Sequence, residues 1–342
     1  MKTIILLTLL SLRTLAADPN KDTVTHGTMS IYFENDTFTG TDRYYTNGVK
    51  LSWTSADLEK FSDTPYASPL LPFLNLFSRI NDPSLQKNLS FSLGQNIYTP
   101  DDTESANPPK DDRPYAGWLY LGVGVVWKNA VVRDSFTLNV GVVGSWSLAE
   151  DAQHFVHNII GQSSPNGWSY QLHNELGVVG VYQRTWRWPV HQRRVGLDWE
   201  FLPHAGLAVG NVLTYANLGG EFRAGLNLPD DFGTETIQPG SSTSTPVERD
   251  QRATRPRFFT GGAYVFARVD GRAVARNIFL DGNTFGDSRS VDKRPLVADL
   301  SVGASVNIRD TKVTYAVVYR TKEFYGQKEG QLFGSITLSV PF

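Results

Sequence analysis

Two short stretches near the start of the chain are dense in oxygen-bearing side chains: Tyr32-Phe33-Glu34-Asn35-Asp36 and, a few residues on, Asp42-Arg43-Tyr44-Tyr45-Thr46-Asn47-Gly48. Brought together across one tight hairpin, they converge an amide, two or three carboxylates and a hydroxyl. Hard oxygens of this kind suit Ca2+, whose sites mix carboxylates with carbonyl oxygens and water. Asn35-Asp36 and Asn47-Gly48 are equally good turn formers, and that reading stays open. A second polar block runs Gln95-Asn96-Ile97-Tyr98-Thr99-Pro100, followed after a loop by Asp111-Asp112-Arg113-Pro114-Tyr115. Here Arg113 beside Asp112 reads either as an ion pair anchoring a loop or as a charged group for a ligand. A third block holds His154 and His157, then Trp168 and Gln171-Leu172-His173-Asn174-Glu175. Three apart, the two histidines share a side of a short helix, and histidine is the natural general base near neutral pH. The spacing also occurs in zinc sites, but the chain has no cysteine and offers no well-spaced third ligand.

The elements that must carry these blocks are strands. Lys2 precedes an apolar run from Thr3 to Leu12 that leads to Leu15-Ala16-Ala17, the form of a secretory signal peptide. Residues 1–17 are therefore expected to be removed, leaving 18–342 as one domain. No later segment is apolar for long enough to cross a bilayer as a helix. The last residues set Ile336, Leu338, Val340 and Phe342 on one face and Ser335, Thr337 and Ser339 on the other. That is a strand with one oily and one small polar wall. Leu89, Phe91 and Leu93 alternate in the same way with Ser90, Ser92 and Gly94, and Val195, Leu197, Trp199 and Phe201 alternate with Gly196, Asp198 and Glu200. Charges on one wall opposite aromatics on the other suit a polar lumen and a lipid-facing exterior. The expected fold is all-β, a transmembrane antiparallel barrel of twelve strands over 27–35, 44–56, 87–98, 115–127, 133–144, 170–183, 194–209, 212–225, 254–269, 292–308, 311–323 and 329–342. An even count puts both termini on the periplasmic side. Short turns such as Lys128-Asn129-Ala130 then belong to that side, and the long segments 57–86, 99–114, 145–169 and 226–253 to the outside. In the first of these, Leu70-Leu71-Pro72-Phe73-Leu74-Asn75-Leu76-Phe77 is apolar enough to lie in the interface or cover the barrel. The composition agrees: 40% apolar residues, 30 glycines, 12% aromatics and a net charge of −2 give no basic surface for nucleic acid.

Taken in order, the blocks resemble the lipid A 3'-O-deacylase family of Gram-negative outer membranes. The resemblance runs through Glu34-Asn35-Asp36, Asp42-Arg43-x-Tyr45-Thr46-x-Gly48, Gln95-x-Ile97-Tyr98-x-Pro100, Asp112-Arg113-x-x-Ala116, His157-x-Ile159-Ile160-Gly161, Trp168-x-x-Gln171-x-x-Asn174 and Thr321-Lys322-Glu323-Phe324. It implies a twelve-stranded barrel whose ester-cleaving site faces lipid near the outer end. It further implies Ca2+ dependence, His157 as general base, and Asn35, Asp36 and Thr46 as essential residues, with Asp36 and Asn35 holding the metal. Arg113, Lys110 and Asp112 stand as the substrate-binding group. The implied partners are lipid A or lipopolysaccharide, the surrounding outer-membrane lipid and the barrel assembly machinery, with the protein a monomer in the outer membrane.

The chain departs from the family at two points. Where the family has an essential lysine soon after the Tyr-x-Pro block, this chain has Glu104 and Ser105, and Lys110 is the nearest lysine. The family tyrosine a few residues after the histidine has no equivalent, Ser164 and Pro165 lying in that region. A non-catalytic structural or lipid-binding barrel is the main alternative to an esterase, and a diffusion pore is another.

Overall fold

The computed structural model describes residues 27–40, 43–58, 60–63, 75, 77, 79–161, 165–191, 197–237, 261–308 and 311–341. The signal peptide expected over 1–17, and most of the apolar stretch 70–77, lie outside them. Strands run β1 Thr28–Asn35, β2 Tyr44–Thr54, β3 Gln86–Thr99, β4 Ala116–Lys128, β5 Val132–Val143, β6 Glu175–Trp186, β7 Trp188–His191, β8 Asp198–Gly210, β9 Leu213–Leu226, β10 Gly261–Asn277, β11 Leu296–Ile308, β12 Thr311–Arg320 and β13 Gln331–Pro341. Each pairs antiparallel with its neighbours, β1 closes against β13, and β6 meets β8. Thr185 faces His204 and Trp188 faces Phe201 in one continuous register, so β6 and β7 are a single strand interrupted at Arg187. The result is a closed barrel of twelve strands. Closure leaves no unpaired edge, the condition for burying a sheet in lipid.

Alternation sorts the walls as the sequence implies. Met29, Ile31, Val49, Leu51, Trp53, Leu93, Leu207, Val209, Leu338 and Val340 are exposed on the outside. Their neighbours turn inward: Ser30 bonds Ser339 across the seam at 2.8 Å, and Glu200, on the polar wall of its strand, is buried in the lumen. No helix among the described residues is long and apolar enough to cross a membrane, and the strands do the crossing.

Two expectations need correction. The strand expected over 254–269 starts at Gly261 among the described residues and runs on to Asn277. Asp270 and Arg272 lie beyond its expected end, and both point into the lumen. There Asp270 takes bonds from His204 at 2.8 Å and Asn217 at 2.9 Å, and Arg272 pairs with Asp299 at 2.7 Å. The rule that long connections lie outside also fails. The connections after β2 and β9 leave from the end that holds both termini, whereas the link between β8 and β9 at the far end is only Asn211-Val212.

Both long connections find surfaces to cover. The one after β2 folds onto the outer wall, where Phe61, Ile80 and Leu85 pack with Leu89, Val125 and Trp127, and Phe77 stacks on Tyr182 at 5.6 Å. The one after β9 turns inward. Asp231 is clamped by Arg223 at 2.5 Å and Lys312 at 2.7 Å, Glu235 by Arg133 at 2.8 Å, and the Ile237 N–H donates to Glu34 at 2.6 Å. At the far end a short helix, Ile278–Asp281, inserts Phe279 against Tyr98 with ring centroids 4.2 Å apart. The lumen is thus filled from both ends by residues of the chain itself.

Candidate functional site

At the far end of β1 to β4 the outer wall stops being oily. Opposed residues in a sheet share a face, so Asn35 on β1, Asn47 on β2, Ile97 on β3 and Gly117 on β4 form one outward row. The pairing of β2 with β3 slips at Thr46, which the register leaves as an extra residue between Tyr45 and Asn47. The slip aims Thr46 outward as well, where its hydroxyl lies 2.7 Å from that of Thr99. Asn35, Thr46, Asn47 and Thr99 are all buried. An amide facing hydrocarbon without partners costs about 2–7 kcal/mol, so this row requires a cover of protein.

On β3 and β4 the cover comes from the connection between β5 and β6. A helix, α1, runs Ala149–Ile160 and packs on β3 and β4. It starts where Gly117 offers no side chain: a Cβ there would lie 2.1 Å from the Ser147 hydroxyl and 2.2 Å from the Ala149 Cβ. Gln95 fastens the same point by donating to the Ser147 carbonyl at 2.6 Å. Glu150 and Asp151 sit in the positive first turn of α1. Gly161, at a φ of +72°, ends the helix with its N–H donating to the His157 carbonyl. Ala149, Gln153 and His157 are buried along one stripe, and Gln153 accepts from the Trp168 indole at 3.0 Å. Trp146, Leu148 and Phe155 are exposed on the helix and its approach. His154 leaves the stripe and contacts the Pro165 carbonyl at 3.4 Å, so the two histidines do not act as a pair.

Asn35 and Asp36 shape the hairpin. The Asn35 side chain accepts from the Thr37 N–H at 2.7 Å and caps a short helix, Asp36–Thr39. Asp36 is fully buried and accepts from the Arg43 N–H at 2.6 Å. These are the bonds that the turn-forming reading anticipates. Among the described residues no three His, Cys, Asp or Glu side chains converge as a metal cage.

The charged candidates lie elsewhere. Arg113 points into the lumen, 3.1 Å from Glu323 and stacked over Tyr98 with 4.9 Å to the ring centroid. Asp112 orders the rim by accepting from the N–H groups of Asp101 and Arg113, each at 2.7 Å, and Lys110 is exposed. The structure therefore brings Asn35 and Thr46 into one outward row and puts His157 on the helix that packs beside them on β3 and β4. It does not gather Arg113, Lys110 and Asp112 with them. Sequence reasoning missed Gln153, which the one-turn spacing before His157 could have flagged, and the pairing of Thr99 with Thr46.

A rim network holds the loops over this end. Arg43 and Lys328 both reach Asp101, at 2.7 and 2.8 Å, joining the connections after β1, β3 and β12. Burial pushes the Asp101 carboxyl up, but the bonds and charges of Lys328 and Arg43 outweigh it and hold it below 3.8. A depressed folded pKa means that the stabilisation is present above pH 3.8 and is lost as pH falls through the lower folded value. Proteolytic cleavage of residues 100–114 and 321–330 is accordingly expected to stay slow down to about pH 4 and to accelerate below it. Acceleration already between pH 7 and 5 would contradict this.

Comparisons with known proteins agree with the barrel. The solved structure of LpxR from Salmonella typhimurium matches with a TM-score of 0.71 at 19% identity, covering 92% of this chain and 100% of that one. The β domain of the Bordetella autotransporter BrkA matches far more loosely, with a TM-score of 0.42 at 8% identity over 94% of this chain and 99% of that one. No curated protein sequence matches the chain. The family model described as outer membrane protein LpxR matches residues 3–342, from the strands through the covering helix to the closing seam, and so the chain belongs to the LpxR family of outer-membrane proteins.

Proposed function

We propose that this protein hydrolyses the 3'-linked acyl ester of lipid A, with His157 as general base and the reaction taking place on the outer wall of the barrel. The observation that carries this reading is the buried polar row Asn35, Thr46, Asn47 and Thr99, set on a face that otherwise belongs to lipid, with the helix bearing His157 packed on the adjoining strands β3 and β4. An ester already in the membrane reaches such a site sideways, and Trp146, Leu148 and Phe155 give the roof an apolar surface suited to the headgroup zone. From Ala149 to His157 the helix advances about 12 Å, the width of two to three strands. A helix anchored at Gly117 is thus long enough to carry His157 over the row.

In this reading His157 takes a proton from water, the resulting hydroxide attacks the ester carbonyl, and the carbonyl–oxygen bond breaks. The products are a fatty acid and a free sugar hydroxyl. The Thr46 hydroxyl, held by Thr99, orients the reacting groups. Asp36 and Asn35 offer the hard oxygens that Ca2+ accepts. Each already receives a backbone N–H, so a calcium site here draws on Asp36 together with carbonyl and water oxygens rather than on a cage of carboxylates. Bound there, Ca2+ would supply stabilisation of the oxyanion.

The rival readings make different use of the same molecule. A pore needs an open lumen, and here Asp231, Phe232 and Ile237 from one end and Ile278, Phe279 and Leu280 from the other are buried inside the barrel. A non-catalytic barrel accounts for the missing family lysine but leaves the buried outward row without a use. The test is mass spectrometry of lipid A incubated with the refolded protein, with Ca2+ and then with chelator. Calcium-dependent loss of one 3' acyl group is expected. An unchanged spectrum from folded protein over several lipid A types would favour the non-catalytic barrel.

A further inference from the structure

Thr46 owes its outward aim to backbone that β3 pairs on one side and no strand supports on the other. β1 ends at Asn35, opposite Asn47, so the chain from Arg43 to Thr46 runs beyond the last residue of β1 and has no partner strand on that side. Inside this stretch Tyr44 takes a φ of +67°, left-handed backbone that an aromatic residue rarely adopts and that persists only when its surroundings enforce it. β13 extends past the end of β1: Asn35 pairs with Gly334, and Gln331 lies three residues further out. From there the Gln331 side chain reaches across. Its carbonyl oxygen accepts from the Tyr45 N–H at 3.0 Å, and its amide donates to the Arg43 carbonyl at 2.6 Å and the Tyr45 carbonyl at 2.9 Å. Tyr45 is held from the lumen side too, with its hydroxyl donating to Glu34 at 2.9 Å.

We infer that Gln331 is a positioning residue for Thr46: its amide stands in for the missing strand, fixes the backbone of Arg43 to Tyr45 and so sets the slip that turns the Thr46 hydroxyl outward toward Thr99. The inference rests on the deacylase reading for its consequence and on the backbone geometry for its cause. It assigns a role in the outward site to a residue nearly 300 positions away in the chain.

The experiment compares wild type with Q331L, which leaves an apolar side chain one atom shorter and removes all three bonds, and with Q331E, which keeps the acceptor and loses both donated bonds. Two quantities are read: amide hydrogen exchange over residues 43–47, and kcat and KM on lipid A. Exchange in that stretch is expected to speed up at least about tenfold in Q331L, corresponding to the loss of one or two hydrogen bonds, while the rest of the barrel is unchanged. In turnover, kcat is expected to fall about tenfold or more with KM within about twofold, and Q331L added to T46V is expected to cost nothing further. Unchanged exchange, or a loss that adds in full to that of T46V, overturns the inference. If Q331L fails to insert, Q331E is judged by the same outcomes. A folded but inactive wild type overturns the deacylase reading alone, and the exchange comparison still decides the role of Gln331.

Discussion

Replacing His157 with Ala is expected to lower release of fatty acid from lipid A by about 10²–10⁴-fold, the usual contribution of a general base, with the barrel intact. The prediction is specific to this ring. His157 is buried on the stripe it shares with Ala149 and Gln153, and its backbone carbonyl already serves the Gly161 cap, so truncating the side chain leaves the helix end in place. His154 provides the internal control. It lies one turn back on the other side of the stripe, bonded to the Pro165 carbonyl, and its replacement by Ala is expected to change turnover by no more than about twofold. The two variants should be compared at equal folded concentration, judged by the heat-dependent gel migration of an intact barrel. Normal turnover in H157A would sink the proposed mechanism. Equal losses in both variants would instead indicate a general weakening of the helix.

Gly117→Val tests the roof rather than the base. Valine suits a strand, and Gly117 pairs in register with Ile97 near the end of β4, so the sheet itself has no reason to object. The objection comes from above. A Cβ at this position would lie 2.1 Å from Ser147 and 2.2 Å from Ala149, the residues that seat α1, and the helix must lift by about an ångström to relieve it. A displacement of that size at a reacting group costs about 10²-fold in rate, and that is the loss expected in kcat/KM, with insertion and thermal stability close to wild type. Gly271→Ala on β10 is the matched control, since the nearest atom to its Cβ would be 3.6 Å away, an ordinary contact. Full activity in G117V would mean that the seating of α1 has no bearing on the chemistry. Loss of the barrel itself would mean that the strand, not the helix, was what the valine disturbed.

The barrel was legible because its signal is local. A strand in lipid shows its two walls to two different solvents, so Leu338 and Val340 against Thr337 and Ser339, or Trp199 against Glu200, declare their faces within a few residues. Ten of the twelve expected strands begin within four residues of the observed starts; that expected over 170–183 does not, and the start expected at 254 lies outside the described residues. β10 runs past its expected end at 269, and the partners that make Asp270 and Arg272 tolerable inside the wall, Asp299, His204 and Asn217, come from three other strands. Where the long connections go was likewise hidden. Nothing in the local pattern of Asp230 to Ile237 says that it enters the lumen, because the ion pairs that draw it in belong to Arg133, Arg223 and Lys312.

The candidate site divides in the same way. The sequence by itself determined which residue types are present for ester chemistry, and the spacing of Asn35, Asp36, Thr46 and His157 within the ordered blocks that mark the family. Which wall each one faces was decided by the tertiary structure. A slip of one residue at Thr46 reverses the side a strand presents, and that slip depends on where β1 stops and on what Gln331 holds from the far side of the seam. Arg113 shows the converse: beside Asp112 in sequence it looked like a group for the substrate, yet the loop ahead of β4 folds it inward to Glu323. Sidedness in a barrel is a parity fixed by register, and register is set by pairing between strands that the chain brings together only when the barrel closes.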